Sequence, residues 1–260
     1  MKAALKAVVY AASSLFLLII LLPIIAVFLS VTPSELASRI TTPTVLNSLR
    51  LSLLTSSVST LIVFVLATPL SYALARHSFR GRTLLDAVVD LPMVLPPAVA
   101  GLALLLAFAP RGLIGPALRS FGIILPGSIW AVVMAEVFVG SPFYIRSSKA
   151  AFSEVNQRII DSARLLSNSD ARVFARVTFP IAWKGVLAGL VMCWARSLGE
   201  FGATLMFAGN LPNVTQTMPL AIYLALSSDL EAAIVLSVIL ILFSFGLLAA
   251  VKSLGGQRST

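Results

Sequence analysis

Long apolar runs separated by short polar segments dominate the pattern along the chain. About six runs have the length of a membrane-crossing helix, and they lie at residues 8–31, 47–75, 84–108, 128–145, 181–208 and 230–251. A helix needs about 20 apolar residues to cross the hydrocarbon core of a bilayer, and it satisfies its own backbone hydrogen bonds there. The pattern therefore predicts an all-α integral membrane protein, in which residues 1–260 form a single transmembrane domain.

The amino-acid composition indicates the same class. Of the 260 residues, 58% are hydrophobic and 11% are charged, whereas a soluble domain carries about 25% charged residues. A single cysteine and a single histidine argue against disulfides, metal centres and catalysis that depends on histidine. We therefore expect that this chain is not an enzyme and holds no cofactor or metal ion of its own.

Basic residues are distributed unevenly among the polar segments. The net charge is +9, and membrane proteins concentrate Lys and Arg in cytoplasmic loops, so this excess does not indicate nucleic-acid binding. With the N-terminus in the cytoplasm, fourteen basic residues from Lys2 to Arg258 fall in inside segments, and three fall in outside segments. The chain is therefore predicted to cross a membrane with both termini in the cytoplasm.

The third apolar run contains three prolines close together, Pro92, Pro96 and Pro97. Each proline removes a backbone donor, so the helix must bend or open there. Irregular backbone at membrane depth is tolerated where it faces protein or a cavity, which makes Pro96 a candidate wall of a pathway. A simple kink near the membrane surface is an equally good interpretation.

A polar and strongly basic segment, residues 153–180, separates the fourth and fifth runs, and we call it the basic segment. Ser153 is predicted to cap a first short helix, which ends at a break over residues 167–170. One side of this helix is expected to carry an apolar stripe, formed by Val155, Ile159, Ala163 and Leu166. The other side carries charged residues, namely Glu154, Arg158, Asp161 and Arg164.

A second short amphipathic helix is expected after the break, with Val173, Phe174 and Val177 on its apolar side. Pro180 then fits the start of the fifth run. The basic side chains of the segment suit lipid headgroups. Its acidic residues and its two helices joined by a turn favour contact with a protein partner instead.

Charged side chains inside apolar runs are costly and normally face protein or water. Arg196 and Glu200 lie four residues apart in the fifth run, so they share a helix face and can pair. The pair is either structural or part of a pathway that attracts an anion, with Thr204 as a candidate gate. Glu136 in the fourth run is a lone acid that can pair across helices. The Ser and Thr residues of the second run are expected to serve close helix packing, and the alternative is that some of them line a wet path.

The basic segment resembles the coupling loop of ATP-binding-cassette import permeases, which couples transport to a separate ATPase. The loop pattern is Glu-Ala-Ala, then a glycine three or four residues later, then Ile-x-Leu-Pro. The matching positions of this chain are Asp161-Ser162-Ala163, Ser167 and Val177-Thr178-Phe179-Pro180. Asp stands for the Glu, Ser for the first Ala, and Ser for the Gly.

The fifth run resembles the fifth helix of molybdate and sulfate permease subunits through the sequence from Trp194 to Thr204. The similarity extends over residues 47–248. It implies a type I import permease that works as a dimer, in the lipid of a prokaryotic plasma membrane, with an ATPase dimer that holds MgATP on the cytoplasmic side. It also implies an oxyanion-binding protein on the outer side.

The resemblance and the pattern together select two groups of residues. The predicted ATPase-coupling residues are Glu154, Arg158, Asp161, Ser162, Ala163, Leu166, Ser167, Phe174 and Pro180. The predicted pathway residues are Arg196, Glu200, Thr204 and Pro96.

The predicted function is therefore a membrane permease subunit of an ATP-driven molybdate importer, with tungstate and sulfate as alternative cargoes. The chain lacks the sequence G-x-x-x-x-G-K-[ST], so ATP hydrolysis is expected on another chain. A secondary transporter driven by an ion gradient is the second interpretation, but no internal repeat or series of titratable groups supports it. A membrane enzyme is the third, and the sequence contains no H-E-x-x-H motif or clustered carboxylates that favour it.

Overall fold

The computed structural model describes residues 2–167 and 169–255, and helices form nearly all of the secondary structure there. The helices are α1 (Lys2–Leu29), α2 (Pro33–Arg39), α3 (Pro43–Arg76), α4 (Arg82–Val94), α5 (Pro97–Phe108), α6 (Gly115–Ser120), α7 (Ile129–Glu154), α8 (Gln157–Leu165), α9 (Asp170–Val173), α10 (Phe179–Leu198), α11 (Gly202–Ala208), α12 (Met218–Ala225) and α13 (Leu230–Gly255). A π-helical turn, Phe174–Thr178, joins α9 to α10. The predicted all-α class is confirmed.

Four stretches of helix have the length and hydropathy of membrane spans. They are Leu5–Leu29, Pro43–Arg76, Ile129–Glu154 and Asp170–Leu198. These stretches match the first, second, fourth and fifth predicted runs. The helix at the sixth run begins at Leu230 as predicted, but its described apolar part, Leu230–Gly246, is shorter than a typical span. The total of six spans therefore stays a prediction.

The third run is interrupted at its prolines, as the sequence predicted. Helices α4 and α5 meet at an angle of 115°, with Leu95 and Pro96 between them. Pro97 occupies the first turn of α5, where its missing N–H needs no partner. The prolines therefore produce a sharp break, which is a stronger departure from the straight helix than the expected bend.

The fifth run is also broken, and the predicted helix over residues 181–208 is wrong in this respect. Helix α10 ends at Leu198, and α11 begins at Gly202. The Oε1 atom of Glu200 accepts a hydrogen bond from the N–H of Ala203 at 2.8 Å. This bond satisfies a backbone donor at the start of α11, so Glu200 stabilises the break.

Three long helices, α3, α7 and α10, pack around the main core. Their contact is close because small residues lie between them, and a Cβ atom on Gly185 of α10 would overlap the Cβ of Ala151 on α7. Most hydroxylated residues of α3 are buried, namely Ser48, Ser52, Thr55, Ser56, Ser59, Thr68 and Ser71, whereas Ser57 is exposed. Their predicted role in helix packing is confirmed.

Candidate functional site

The basic segment begins later than the sequence suggested. Helix α7 continues to Glu154, and Ser153 lies inside it, where its Oγ donates to the carbonyl of Lys149 at 2.9 Å. The cap of α8 is Asn156, whose Oδ1 accepts from the N–H of Arg158 at 2.9 Å. The prediction of Ser153 as the cap is therefore wrong, because α7 extends beyond the apolar run.

The apolar stripe predicted for the first helix is split between two directions. Val155 is buried and Ala163 packs against the main core, whereas Ile159 and Leu166 point outward. The buried side chain of α8 is Ile160, which the prediction missed. The reason is the late start of α8, because Val155 precedes the helix and is not in phase with it.

The outward side of α8 combines apolar and basic side chains. Leu165 is 89% exposed and Leu166 is 91% exposed. Three other exposed residues point to the same side of the helix as these two leucines. We call the five residues the exposed face of α8: Arg158, Ile159, Ser162, Leu165 and Leu166. Apolar side chains that are exposed together on a short helix mark a contact surface for a protein or a membrane.

The break between α8 and α9 is bridged by charged side chains. Arg164 donates from Nε to the Oδ1 of Asp170 at 2.9 Å and lies 3.7 Å from the Oδ1 of Asp161. Ser167, at the expected glycine position, is half-buried next to the break. The two helices of the basic segment are thus held together across the turn.

Phe174 lies in the core and does not contribute to the exposed face of α8. Its ring centre is 4.8 Å from that of Tyr72 on α3, 5.8 Å from Phe152 on α7 and 5.8 Å from Phe179 on α10. Phe174, one of the predicted ATPase-coupling residues, therefore makes its aromatic contacts within the chain. Phe174 anchors the basic segment to the three central helices.

Arg76, at the end of α3, provides a second anchor. Its guanidinium donates to the carbonyl of Val155 and, at 3.1 Å, to the Oε1 of Gln157. Sequence reasoning missed Arg76 and Tyr72 as part of this site. The available signal was their spacing of four residues at the end of an apolar helix, which places both side chains on one face.

The sequence predicted a separate second short helix in the basic segment, and this prediction is wrong. Residues from Asp170 to Leu198 form one continuous helix that includes the π-helical turn. The N–H of Phe179 donates to the carbonyl of Phe174, five residues earlier. Pro180 lies exposed just after this turn. Since proline cannot donate, a wider turn at this point accommodates it without ending the helix.

Glu136 forms a buried polar cluster at the centre of the helices. Its Oε1 accepts from the Oγ1 of Thr55 at 2.8 Å, and its Oε2 accepts from the Oγ of Ser59 at 2.7 Å. Its backbone carbonyl accepts from the Oγ of Ser197 on α10 at 3.4 Å. Glu136 therefore pairs across helices with hydroxyl groups, which fits the sequence expectation.

The predicted pair of Arg196 and Glu200 is present. The Nη1 of Arg196 lies 2.6 Å from the Oε2 of Glu200, without the alignment of a hydrogen bond. The side chain of Glu200 is 1% exposed and that of Arg196 is 30% exposed. Because Glu200 also caps α11, the arrangement favours a structural role and leaves the charge of Arg196 compensated.

The two remaining pathway candidates lie at the breaks of the helices. Thr204 on α11 is fully buried, and its Oγ1 has no hydrogen-bond partner within the described part of the chain. Pro96 is exposed between α4 and α5. A Cβ on Gly202 would lie 2.6 Å from the Cβ of Pro97. The break in the third run and the break in the fifth run are therefore in contact.

Comparison with known proteins identifies the family. The family described as binding-protein-dependent transport system inner membrane component matches residues 67–254. A probable molybdenum ABC transporter permease protein of Haloferax volcanii is 38% identical over 94% of this chain and 88% of its own length. The molybdenum transport system permease protein ModB of Mycobacterium tuberculosis is 40% identical over 85% of this chain and 83% of its own.

The fold agrees with this assignment. The crystal structure of a bacterial ABC transporter that imports the acidic polysaccharide alginate superimposes with a TM-score of 0.79, at 14% identity, over 98% of this chain and 96% of that one. The resemblance stated from the sequence is thus confirmed. This chain belongs to the inner-membrane components of binding-protein-dependent transport systems, and it is a multi-pass membrane permease.

Proposed function

We propose that the chain is the membrane permease subunit of an ATP-driven importer of molybdate. The support for this cargo is the similarity to permeases named for molybdenum transport, which spans most of both chains. Tungstate and sulfate are tetrahedral dianions of related shape and remain the alternative cargoes. The binding protein that delivers the anion selects among them.

The exposed face of α8 is the docking surface for a separate ATPase, which binds MgATP and hydrolyses it. The observation that carries this proposal is the exposure of Leu165 and Leu166, at 89% and 91%, on a helix outside the spans. Burying a leucine side chain in a protein contact contributes about 2 kcal/mol. Arg158, on the same face, suits an acidic rim on the partner.

Motion of the docked ATPase reaches the spans through the two anchors of the basic segment. Phe174 packs against side chains of α3, α7 and α10, and Arg76 holds the start of α8. These contacts join one exposed helix to the three central helices. Displacement of α8 then rocks the central helices between inward-open and outward-open arrangements.

The remaining parts of the assembly follow from the same proposal. A second copy of this chain completes the pathway, and α1, whose apolar side chains are exposed, faces lipid. The basic segment and both termini lie in the cytoplasm, as the distribution of Lys and Arg indicates. Arg258, which belongs to that distribution, lies outside the described residues. The oxyanion-binding protein docks on the opposite side of the membrane.

The test of the docking surface is the substitution Leu166→Asp in the complex purified with its ATPase. A charge at this position opposes burial, so we expect the affinity for the ATPase to fall about tenfold or more. Leu113→Asp is the matched control, because Leu113 is 88% exposed in a segment predicted on the opposite side. Equal retention of the ATPase by the wild type and by Leu166→Asp would contradict the proposed docking surface.

A further inference from the structure

Arg50 is a charged residue on a mainly apolar, exposed face of α3. Helical geometry places it in line with Leu46, Leu54 and Leu61, all of which are exposed. Arg50 lies about 10 Å along the helix from its first residue, at about 1.5 Å per residue. A guanidinium facing hydrocarbon costs free energy, up to about 3 kcal/mol at the middle of a span. The guanidinium of Arg50 therefore favours contact with water or an anion over contact with lipid.

The charge of Arg50 is not compensated within residues 2–167 and 169–255. The ion pairs described there use other cations, namely Arg39, Arg146, Lys149, Arg164 and Arg196. Arg196 lies against Glu200, and Arg39 lies against Asp229 and Glu231. Arg50 thus differs from Arg196, because its positive charge remains available to an anion.

Arg50 lines an open cavity of about 280 Å³ together with two asparagines. The Nδ2 of Asn47 donates to the Oδ1 of Asn213 at 2.7 Å, so the amide donors of Asn213 are not used in that bond. The other lining residues are Leu51, Leu54 and Ile129. A guanidinium with neighbouring amide donors, and no carboxylate in the lining, suits a tetrahedral oxyanion.

The same face of α3 has a polar contact two turns further along. The Nε1 of Trp194 on α10 donates to the Oγ of Ser57 at 3.2 Å. Ser57 is exposed and lies in line with Arg50 along the helix. The polar side chains on this face of α3 therefore continue beyond the cavity as far as a contact with α10.

We propose that Arg50, with Asn47 and Asn213, forms an anion-attracting station at the mouth of the translocation pathway. This inference rests on the proposed oxyanion transport and assigns its entry site. Arg50 and Arg76 lie about 39 Å apart along α3, at about 1.5 Å per residue, so the station is at the opposite end from the basic segment. A single exposed guanidinium raises the local anion concentration without holding the anion tightly.

The test uses the complex in liposomes and a reporter cysteine at the cavity. Leu54 is 44% exposed and lines the cavity, whereas the native Cys193 is fully buried and contributes little background. Leu54→Cys is treated with two water-soluble thiosulfonate reagents, one anionic and one cationic, with Arg50 present or replaced by Arg50→Gln. The control is Leu18→Cys on the apolar helix α1.

Leu54→Cys is expected to react, and the anionic reagent should be favoured about fivefold because of the nearby positive charge. Arg50→Gln should remove this preference, and molybdate should slow the anionic reagent only when Arg50 is present. Leu18→Cys should not react, since it faces lipid. The proposed site would be contradicted if Leu54→Cys did not react, or if it favoured the anionic reagent equally in the Arg50→Gln background.

Uptake measurements separate this inference from the proposed function. In a wild-type complex that imports molybdate, Arg50→Gln should raise KM about fivefold with little change in kcat, and Arg50→Lys should stay near wild type. An unchanged KM in Arg50→Gln contradicts the station and leaves the importer intact. A wild-type complex that imports no oxyanion refutes the proposed function, while the cysteine reactivity still reports on the charge at the cavity.

Discussion

Glu136 is the residue that connects the three central helices through polar contacts. Its two carboxylate oxygens accept from Thr55 and Ser59 of α3, and its carbonyl accepts from Ser197 of α10. A buried polar group is stabilising only when its hydrogen bonds are satisfied. Hydroxyl groups of the second apolar run donate these hydrogen bonds, so Glu136 fixes the relative position of the helices.

Replacement of Glu136 by alanine is expected to destabilise the protein by about 2–4 kcal/mol, because a cavity forms and the hydrogen bonds across the helices are lost. Glu136→Gln keeps one acceptor oxygen, so this variant should lose clearly less stability than Glu136→Ala. The measurement is thermal unfolding of the purified protein in detergent. Equal unfolding temperatures for the wild type and Glu136→Ala would mean that the cluster does not hold the helices together.

The contacts of Glu200 show which interactions of a single residue the sequence could predict and which it could not. The spacing of four between Arg196 and Glu200 predicted contact, and the structure has it at 2.6 Å. The second bond of Glu200, to the N–H of Ala203, was not predictable from spacing. It depends on where α10 ends, and that depends on packing around Gly202. The uncompensated charge of Arg50 likewise depends on which acids lie nearby in space.

At the scale of helices, long apolar runs located α3 and α7 well, but breaks within runs were harder to predict. Hydropathy averages over many residues, so the short interruption between Leu198 and Gly202 did not alter the pattern of the fifth run. Pro96 signalled a bend in the third run without giving its angle of 115°. The late start of α8 was hidden because α7 extends into the polar segment.

Close contact between α7 and α10 depends on small residues at one crossing. Gly185→Ala places a methyl group against Ala151, and the overlap should cost about 1–3 kcal/mol. Ala151→Gly in the same protein should recover most of that loss, since the space is restored. The two changes are therefore expected to be non-additive by about 1 kcal/mol or more in thermal unfolding.

A matched control for this crossing is Gly199→Ala. Gly199 is exposed, and a Cβ there meets only the carbonyl of Ala195, at 3.6 Å. Gly199→Ala should therefore unfold within a few tenths of a kcal/mol of the wild type. Additive effects of Gly185→Ala and Ala151→Gly would show that the helices do not touch at this point.

At the scale of the whole molecule, the two regions proposed to function, the basic segment and the cavity at Arg50, lie at opposite ends of the same long helix. Arg50 lies near the first residues of α3, and Arg76 at its end holds the basic segment through Val155 and Gln157. Tyr72, one turn before Arg76, contacts Phe174. In the proposed mechanism, α3 connects a displacement of α8 to the far end of the pathway.

In the proposed mechanism, a partner ATPase drives the pathway through the basic segment, and a substitution at Phe174 tests this coupling. The most direct measurement is the amount of molybdate imported per ATP hydrolysed, in liposomes that contain the chain, its ATPase and its binding protein. Phe174→Ala removes the ring that anchors the segment but leaves the exposed face of α8 intact. The ATPase should stay bound, and uptake per ATP should fall about tenfold. An unchanged ratio in Phe174→Ala, or molybdate uptake by the wild type without ATP, would contradict the account.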